Sequence, residues 1–191
     1  MIRSAVLDDF EEIVNIKKLL ALNIKRLDDD SYKLDIEKNG FLIPSEYTEE
    51  EFFTDLTKVF FVNEDHGKIN AFIRIDDVQE LRKATETDWI KHDLKEIYFS
   101  FPHACIGGIA VLPERAHSGI ASQMLTAAER EIKSRGYKYL FSSVTSAPIK
   151  NYPSIRFHEK NKFEQIAITK PHVLFGIENY QSILFAKAPS L

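Results

Sequence analysis

From Val111 to Ala121 the chain reads Val-Leu-Pro-Glu-Arg-Ala-His-Ser-Gly-Ile-Ala: an apolar run, a proline turn with charged residues, then small residues opening a helical pattern. The chemistry this spacing suits is anion binding. A helix start presents N–H groups without intrahelical acceptors and the positive end of the macrodipole. Gly119 and Ala121 leave room for a pyrophosphate to approach that backbone, and Arg115 and His117 could add positive charge. Strand, turn and helix in this order occur in many α/β proteins, so a purely structural role for the segment stands beside the functional one. Downstream, residues 151–163 read Asn-Tyr-Pro-Ser-Ile-Arg-Phe-His-Glu-Lys-Asn-Lys-Phe and gather Asn151, Ser154 and His158 on one short helical stretch. His103 and His158 are candidates for proton transfer, because imidazole titrates near neutrality. Cys105 is a poorer one, with no Asp or Asn visible beside a histidine to build an acyl-enzyme arrangement.

Positioning these groups requires alternating strands and helices. Residues 2–6 read as a first strand. Asp9 and Glu12 have the spacing of a capping pair before a helix over 9–23, whose apolar positions include Phe10, Ile13, Ile16 and Leu20. The charged tract 25–35 reads as a solvated face or loop. Thr48 and Glu51 repeat the capping spacing ahead of a helix over 49–58. Residues 59–63 and 69–75 are β-branched and aromatic, and the turn-like 64–67 predicts an antiparallel hairpin. Residues 77–96 read as an insertion carrying a helix around Trp89. Strand material follows at 98–101 and 105–111, interrupted by Pro102, and Gly107-Gly108 inside the second run signals a bulge or a close approach of another group. A helix is expected over 118–135 with Gly136 as its stop, a strand over 139–144, a short helix over 154–160, and closing strands at 163–169 and 182–186.

Composition narrows the classes. A net charge of −4 disfavours non-specific nucleic-acid binding, and no apolar run approaches the roughly 18 residues of a membrane span. One cysteine permits neither an intramolecular disulfide nor a thiolate-rich zinc site, so no metal is expected and a reducing, cytoplasmic setting fits. At 191 residues a single domain is expected over 1–191, with the insertion at 77–96, as a monomer or homodimer.

The two segments resemble motifs A and B of the GNAT superfamily of N-acetyltransferases. Motif A is a strand, a Gln/Arg-x-x-Gly-x-Gly/Ala loop and a helix, matched here by Ala110-Val111-Leu112-Pro113, Gly119 and Ala121. Ala116 stands at the loop's first position in place of Gln or Arg, with Arg115 offset by one. Motif B, Asn-x-x-Ala/Ser-x-x-Leu/Phe-Tyr/His-Glu-Lys-x-Gly-Phe, is matched from Asn151 to Phe163, with Lys162 in place of the usual Gly. The resemblance implies a mixed α/β (α+β) fold: a mostly antiparallel sheet of about seven strands, flanked by helices and splayed between the fourth and fifth strands, 105–111 and 139–144. It implies acetyl-CoA as cosubstrate, held by Ile109, Ala110, Val111, Arg115, Ala116, His117, Ser118, Gly119, Ile120 and Ala121 together with Asn151, Ser154 and His158. Asn151 should bond the pantetheine arm, and the bulge at Gly107-Gly108 should bond the arm or polarise the thioester. His158 falls where relatives carry a proton-donating Tyr. Cys105 falls where some relatives carry a basic Glu, which leaves His103 or a water as base. The implied reaction is direct acetyl transfer to the primary amine of a small-molecule or amino-acid-like acceptor. Two alternatives stay open: a coenzyme-binding sensor or interaction module without turnover, and a protein or peptide N-acetyltransferase.

Overall fold

The computed structural model describes residues 1–79 and 86–189. Strand β1 (Ile2–Ser4) leads into helix α1 (Phe10–Leu20), which buries Ile13, Val14 and Ile16. The expected capping pair does not form. Asp9 instead takes a bidentate contact from Arg3 at 2.7 and 2.8 Å and the Val6 N–H at 2.9 Å, while Glu12 accepts from the Ile69 N–H at 2.8 Å. The charged tract hides a helix, α2 (Asp30–Asn39), capped by Asp29 and buried through Tyr32 and Ile36. Helix α3 (Glu49–Asp55) does carry the Thr48–Glu51 capping box.

Strands β2 (Val59–Asp65) and β3 (Lys68–Val78) form the expected hairpin. His66 and Gly67 both have positive φ, 51° and 75°, as a two-residue turn matched to strand twist requires. The insertion supplies a short strand β4 (Thr87–Trp89) and helix α4 (His92–Phe99), and its residues 80–85 lie outside the described residues. Strand at 98–101 is overturned, because Tyr98 and Phe99 close α4, where they pack their rings against Trp89. Then come β5 (His103–Val111), α5 (Ile120–Ser134), β6 (Leu140–Ala147), α6 (Tyr152–Lys160), β7 (Glu164–Thr169), β8 (His172–Leu174) and β9 (Ile177–Lys187).

Among the described residues the sheet runs β1-β2-β3-β5-β6-β9-β7-β4, with β8 paired to β9. Every pairing is antiparallel except β5 with β6. The strands beyond the expected seven are the three-residue β4 and β8. Helix α5 lays Met124, Leu125, Ala128 and Ile132 on one face, against Ile73, Ile75, Ala104 and Leu140. Helices α1 and α3 cover the other through Ile13, Ile16 and Phe52, against Phe60, Val62 and Phe72. On β3, Phe72, Arg74 and Asp76 therefore share the α1 and α3 face by two-residue alternation.

The bulge is present. On β5, Gly108 pairs with Arg74 and Ile106 with Ile75, which leaves Gly107 without a partner on β3. The extra residue switches the alternation: Ala104 and Ile106 face α5 before it, Ile109 and Val111 after it.

Candidate active site

Strands β5 and β6 are joined only at Ala104–Leu140 and Cys105–Phe141. Beyond these rungs they part around a cleft of about 1390 Å³. The bulge, the start of α5, α6 and the α1–α3 region all line it. Splaying removes ladder partners from the β5 backbone after Cys105, so a ligand with amide groups could pair with that edge.

At the mouth, Gly119 adopts φ 83° and no side chain caps α5. The N–H groups of Ile120, Ala121 and Ser122 thus open the helix with no intrahelical acceptor. A Cβ on Gly119 would find nothing nearer than Gln123 Nε2 at 3.9 Å, which leaves the approach to those donors clear. His117 also takes positive φ, 62°, and Ser118 Oγ donates to the Arg115 carbonyl at 2.6 Å, so the loop is held by its own backbone. All residues from Ile109 to Val111 and from Arg115 to Ser122 line the cleft. The cradle fits a pyrophosphate through main-chain donors. Arg115 is not free for it, being ion-paired with Asp65 of β2.

Motif B folds as read, but two of its side chains are already occupied. Asn151 is buried; its Nδ2 donates to the Phe41 carbonyl at 2.8 Å and its Oδ1 accepts from the Ser154 N–H at 3.3 Å. It caps α6 and ties that helix to the loop after α2, and it lines the cleft with one Nδ2 hydrogen not used by these bonds. Ser154 lines the cleft beside it. Lys162 takes φ 64°, the conformation that usually selects Gly.

His158 is 1% exposed, stacked on Phe185 with ring centroids 4.9 Å apart. Its Nδ1 lies 2.7 Å from the Ser154 carbonyl, and its Nε2 2.8 Å from Ser142 Oγ. A carbonyl only accepts, so Nδ1 carries the proton and Nε2 accepts from the Ser142 hydroxyl. Burial pushes this imidazole down to about 4. With both nitrogens engaged and the ring neutral, His158 is not placed to hand a proton directly to sulfur; it positions Ser142 and α6.

His103 and Cys105 do not line the cleft. His103 is buried between the Tyr98 and Phe101 rings, at centroid distances of 4.9 and 5.0 Å, and burial lowers its pKa. It lies beyond the closed end of the splay, so the expected base role fails on position. Burial pushes the Cys105 thiol up to about 12, and Asp76 pushes it further in the same direction.

The charged groups next to the bulge are ones the sequence reading passed over. Asp76, directly across from Cys105 on β3, is held by Lys58 Nζ at 2.9 Å and Arg74 Nη2 at 3.0 Å. A Cβ on Gly107 would sit 2.1 Å from Asp76 Oδ2 and 2.8 Å from Arg74 Nη2, so the bulge and this ion pair are in direct contact. Arg74 also pairs with Asp55, which accepts from Tyr47 Oη at 2.6 Å and lies 2.7 Å from Lys58 Nζ. Burial opposes the Asp55 charge, but its Lys58, Tyr47 and Arg74 partners overcome that and hold its pKa below the ordinary value. Lys17 of α1 lies 3.5 Å above the Tyr47 ring. All six residues line the cleft. Arg74 and Asp76, two residues apart on a strand buried from Ile69 to Ile73 and at Ile75, were the available signal: two charges on one inward face call for a site.

Among curated proteins, none matches the sequence. The model of the Acetyltransferase (GNAT) family matches residues 23–163. Solved structures share the fold. The ribosomal-protein-S18-alanine N-acetyltransferase of Escherichia coli aligns at 16% identity and TM-score 0.62, over 100% of this chain and 94% of that one. The smu.2055 protein of Streptococcus mutans aligns at 16% and 0.69, over 100% and 99%. The yncA protein of Salmonella typhimurium, solved with its cofactor acetyl-CoA, aligns at 15% and 0.63, over 100% and 94%. With the match spanning the cradle and motif B, and the splayed sheet around them, the chain belongs to the GNAT acetyltransferase family.

Proposed function

We propose that this chain transfers an acetyl group from acetyl-CoA to the primary amine of a small-molecule or amino-acid-like acceptor, by direct attack in a ternary complex. One observation carries the reading: the cradle at the start of α5, the bulge at Gly107 and the charged wall line one cleft, so donor and acceptor can meet there. The cosubstrate supplies the activated thioester. The N–H groups of Ile120, Ala121 and Ser122 hold its phosphates, and Arg115, paired with Asp65, shapes the loop around them. At the bulge, unpaired β5 backbone orients the acyl carbonyl. Asp76, the carboxylate in contact with Gly107, receives the amine proton directly or through a water, and as the new C–N bond forms the C–S bond breaks and coenzyme A leaves as its thiolate. This assigns to Asp76 the work expected of His103.

The test is thiol release from acetyl-CoA over a panel of small amines, amino acids and peptides, alongside calorimetric titration of acetyl-CoA. Turnover on small amines supports the proposal, and turnover on peptides alone would replace it with the peptide reading. Binding with no turnover on any acceptor would favour a coenzyme-binding module, which the saturated hydrogen bonds of His158 would then explain.

A further inference from the structure

The cations of the cleft wall are unevenly paired. Asp55 and Asp76 are matched by Arg74 and Lys58, whose cations lie within 3.0 Å of one or both carboxylates. Lys17 is the third cation of the wall and, among the described residues, has no carboxylate within salt-bridge distance; its contact is the face of Tyr47. Burial, and next the nearby Arg74 charge, push Lys17 down to about 8. A second group is also short of a partner. Arg74 Nε is buried and makes no hydrogen bond, although Asp76 Oδ1 lies 3.0 Å away, because its N–H is not aligned with that oxygen. Asp55, Glu51 and Asp76 attract Lys17 only from a distance, so among the described residues it is the cation of this wall with no carboxylate in direct contact, and it lines the cleft.

Resting on the transferase reading above, we infer that the acceptor carries a carboxylate, and that Lys17 is the group that binds it. The wall is continuous: Lys17 lies on Tyr47, Tyr47 donates to Asp55, Asp55 pairs with Arg74, Arg74 with Asp76, and Asp76 rests on the bulge. An acceptor with an amine near Asp76 and a carboxylate near Lys17 spans this wall with opposite charges at both ends. The incoming anion also offsets the repulsion between Lys17 and Arg74 and favours the charged form of the lysine. An acceptor with an amine but no anion leaves Lys17 as it is and gains nothing there.

The experiment compares kcat/KM for an amino acid and for its carboxamide, each normalised to its fraction of neutral amine, so that the charge of the terminal group is the remaining difference. The acid should be favoured by about 10- to 100-fold, the range of a charge-assisted contact. Lys17→Met should bring the ratio close to one, while Lys17→Arg, which keeps the cation, should preserve most of it. Equal kcat/KM for acid and amide in the unmodified protein, or a preference that survives Lys17→Met, would overturn the inference and leave acetyl transfer standing. No thiol release with any amine, despite bound acetyl-CoA, would instead bring down the transferase reading and this inference with it.

Discussion

Gly107→Ala places a methyl group where the bulge meets the charged wall. The added Cβ would lie 2.1 Å from Asp76 Oδ2 and 2.5 Å from its Cγ. Ordinary contact begins near 3.4 Å, so the carboxylate must retreat by about 1.3 Å. Side-chain ends can move that far without unfolding the sheet, but Asp76 cannot do so and keep both Lys58 and Arg74. Loss of those partly exposed pairs costs about 1–3 kcal/mol in stability. A misplacement of about 1 Å at a reacting group costs roughly 100-fold in turnover. The expected result is therefore a kcat about 100-fold lower, a modest drop in melting temperature, and acetyl-CoA affinity within a few-fold of the original. Gly108→Ala is the matched comparison, since its Cβ meets only Phe72 Cε2, at 3.3 Å, and should cost far less. The decisive assay is a double-mutant cycle with Asp76→Ala. Once the carboxylate is gone, Gly107→Ala should add little further loss. Equal losses in both backgrounds, or full turnover in the single variant, would refute the placement of Asp76 at the reacting amine.

Gly119→Glu should weaken acetyl-CoA binding at least tenfold by calorimetry, because it brings a bulky anion to the α5 cradle and forces a non-glycine residue to φ 83°. His158 should make stability depend on pH. Its folded pKa of about 4 lies below the ordinary value of 6.5, so the unfolded chain binds the proton first as pH falls. Its contribution, at most about 3 kcal/mol, is intact above pH 6.5 and is lost towards pH 4; denaturant titrations of the original and of His158→Gln should diverge across that window. Lys162→Gly should raise stability by about 0.5–1 kcal/mol in thermal unfolding, because φ 64° strains an L-residue and not glycine.

The backbone of the site was legible in the sequence, and its side-chain chemistry much less so. Gly119 and Ala121 act through being small, and the bulge at Gly107-Gly108 through breaking a ladder; both are local effects that a run of residues displays. The hairpin turn was readable for the same reason. Asn151 and His158 sit in their expected places, yet their hydrogen bonds go to Phe41, Ser154 and Ser142, and two of these partners are distant in sequence. The misreading of 98–101 as strand arose because aromatic residues suit strands and buried helix ends alike. Helix α2 was masked by its charges, since only Tyr32 and Ile36 are buried on it. The charged wall draws on α1, α3, β2's approach and β3, so its charge balance appears only when those elements meet.

The open seam between β5 and β6 has a thermodynamic consequence. Two rungs join these strands, and the edge beyond them is left for something other than the chain to complete. A cosubstrate bound there acts as an extra piece of the sheet and stabilises only the folded state, by about 2.7 kcal/mol at a hundredfold excess over its Kd. Resistance to heat and proteolysis should then rise and fall with the supply of coenzyme, linking the lifetime of the protein to the abundance of its own acyl donor.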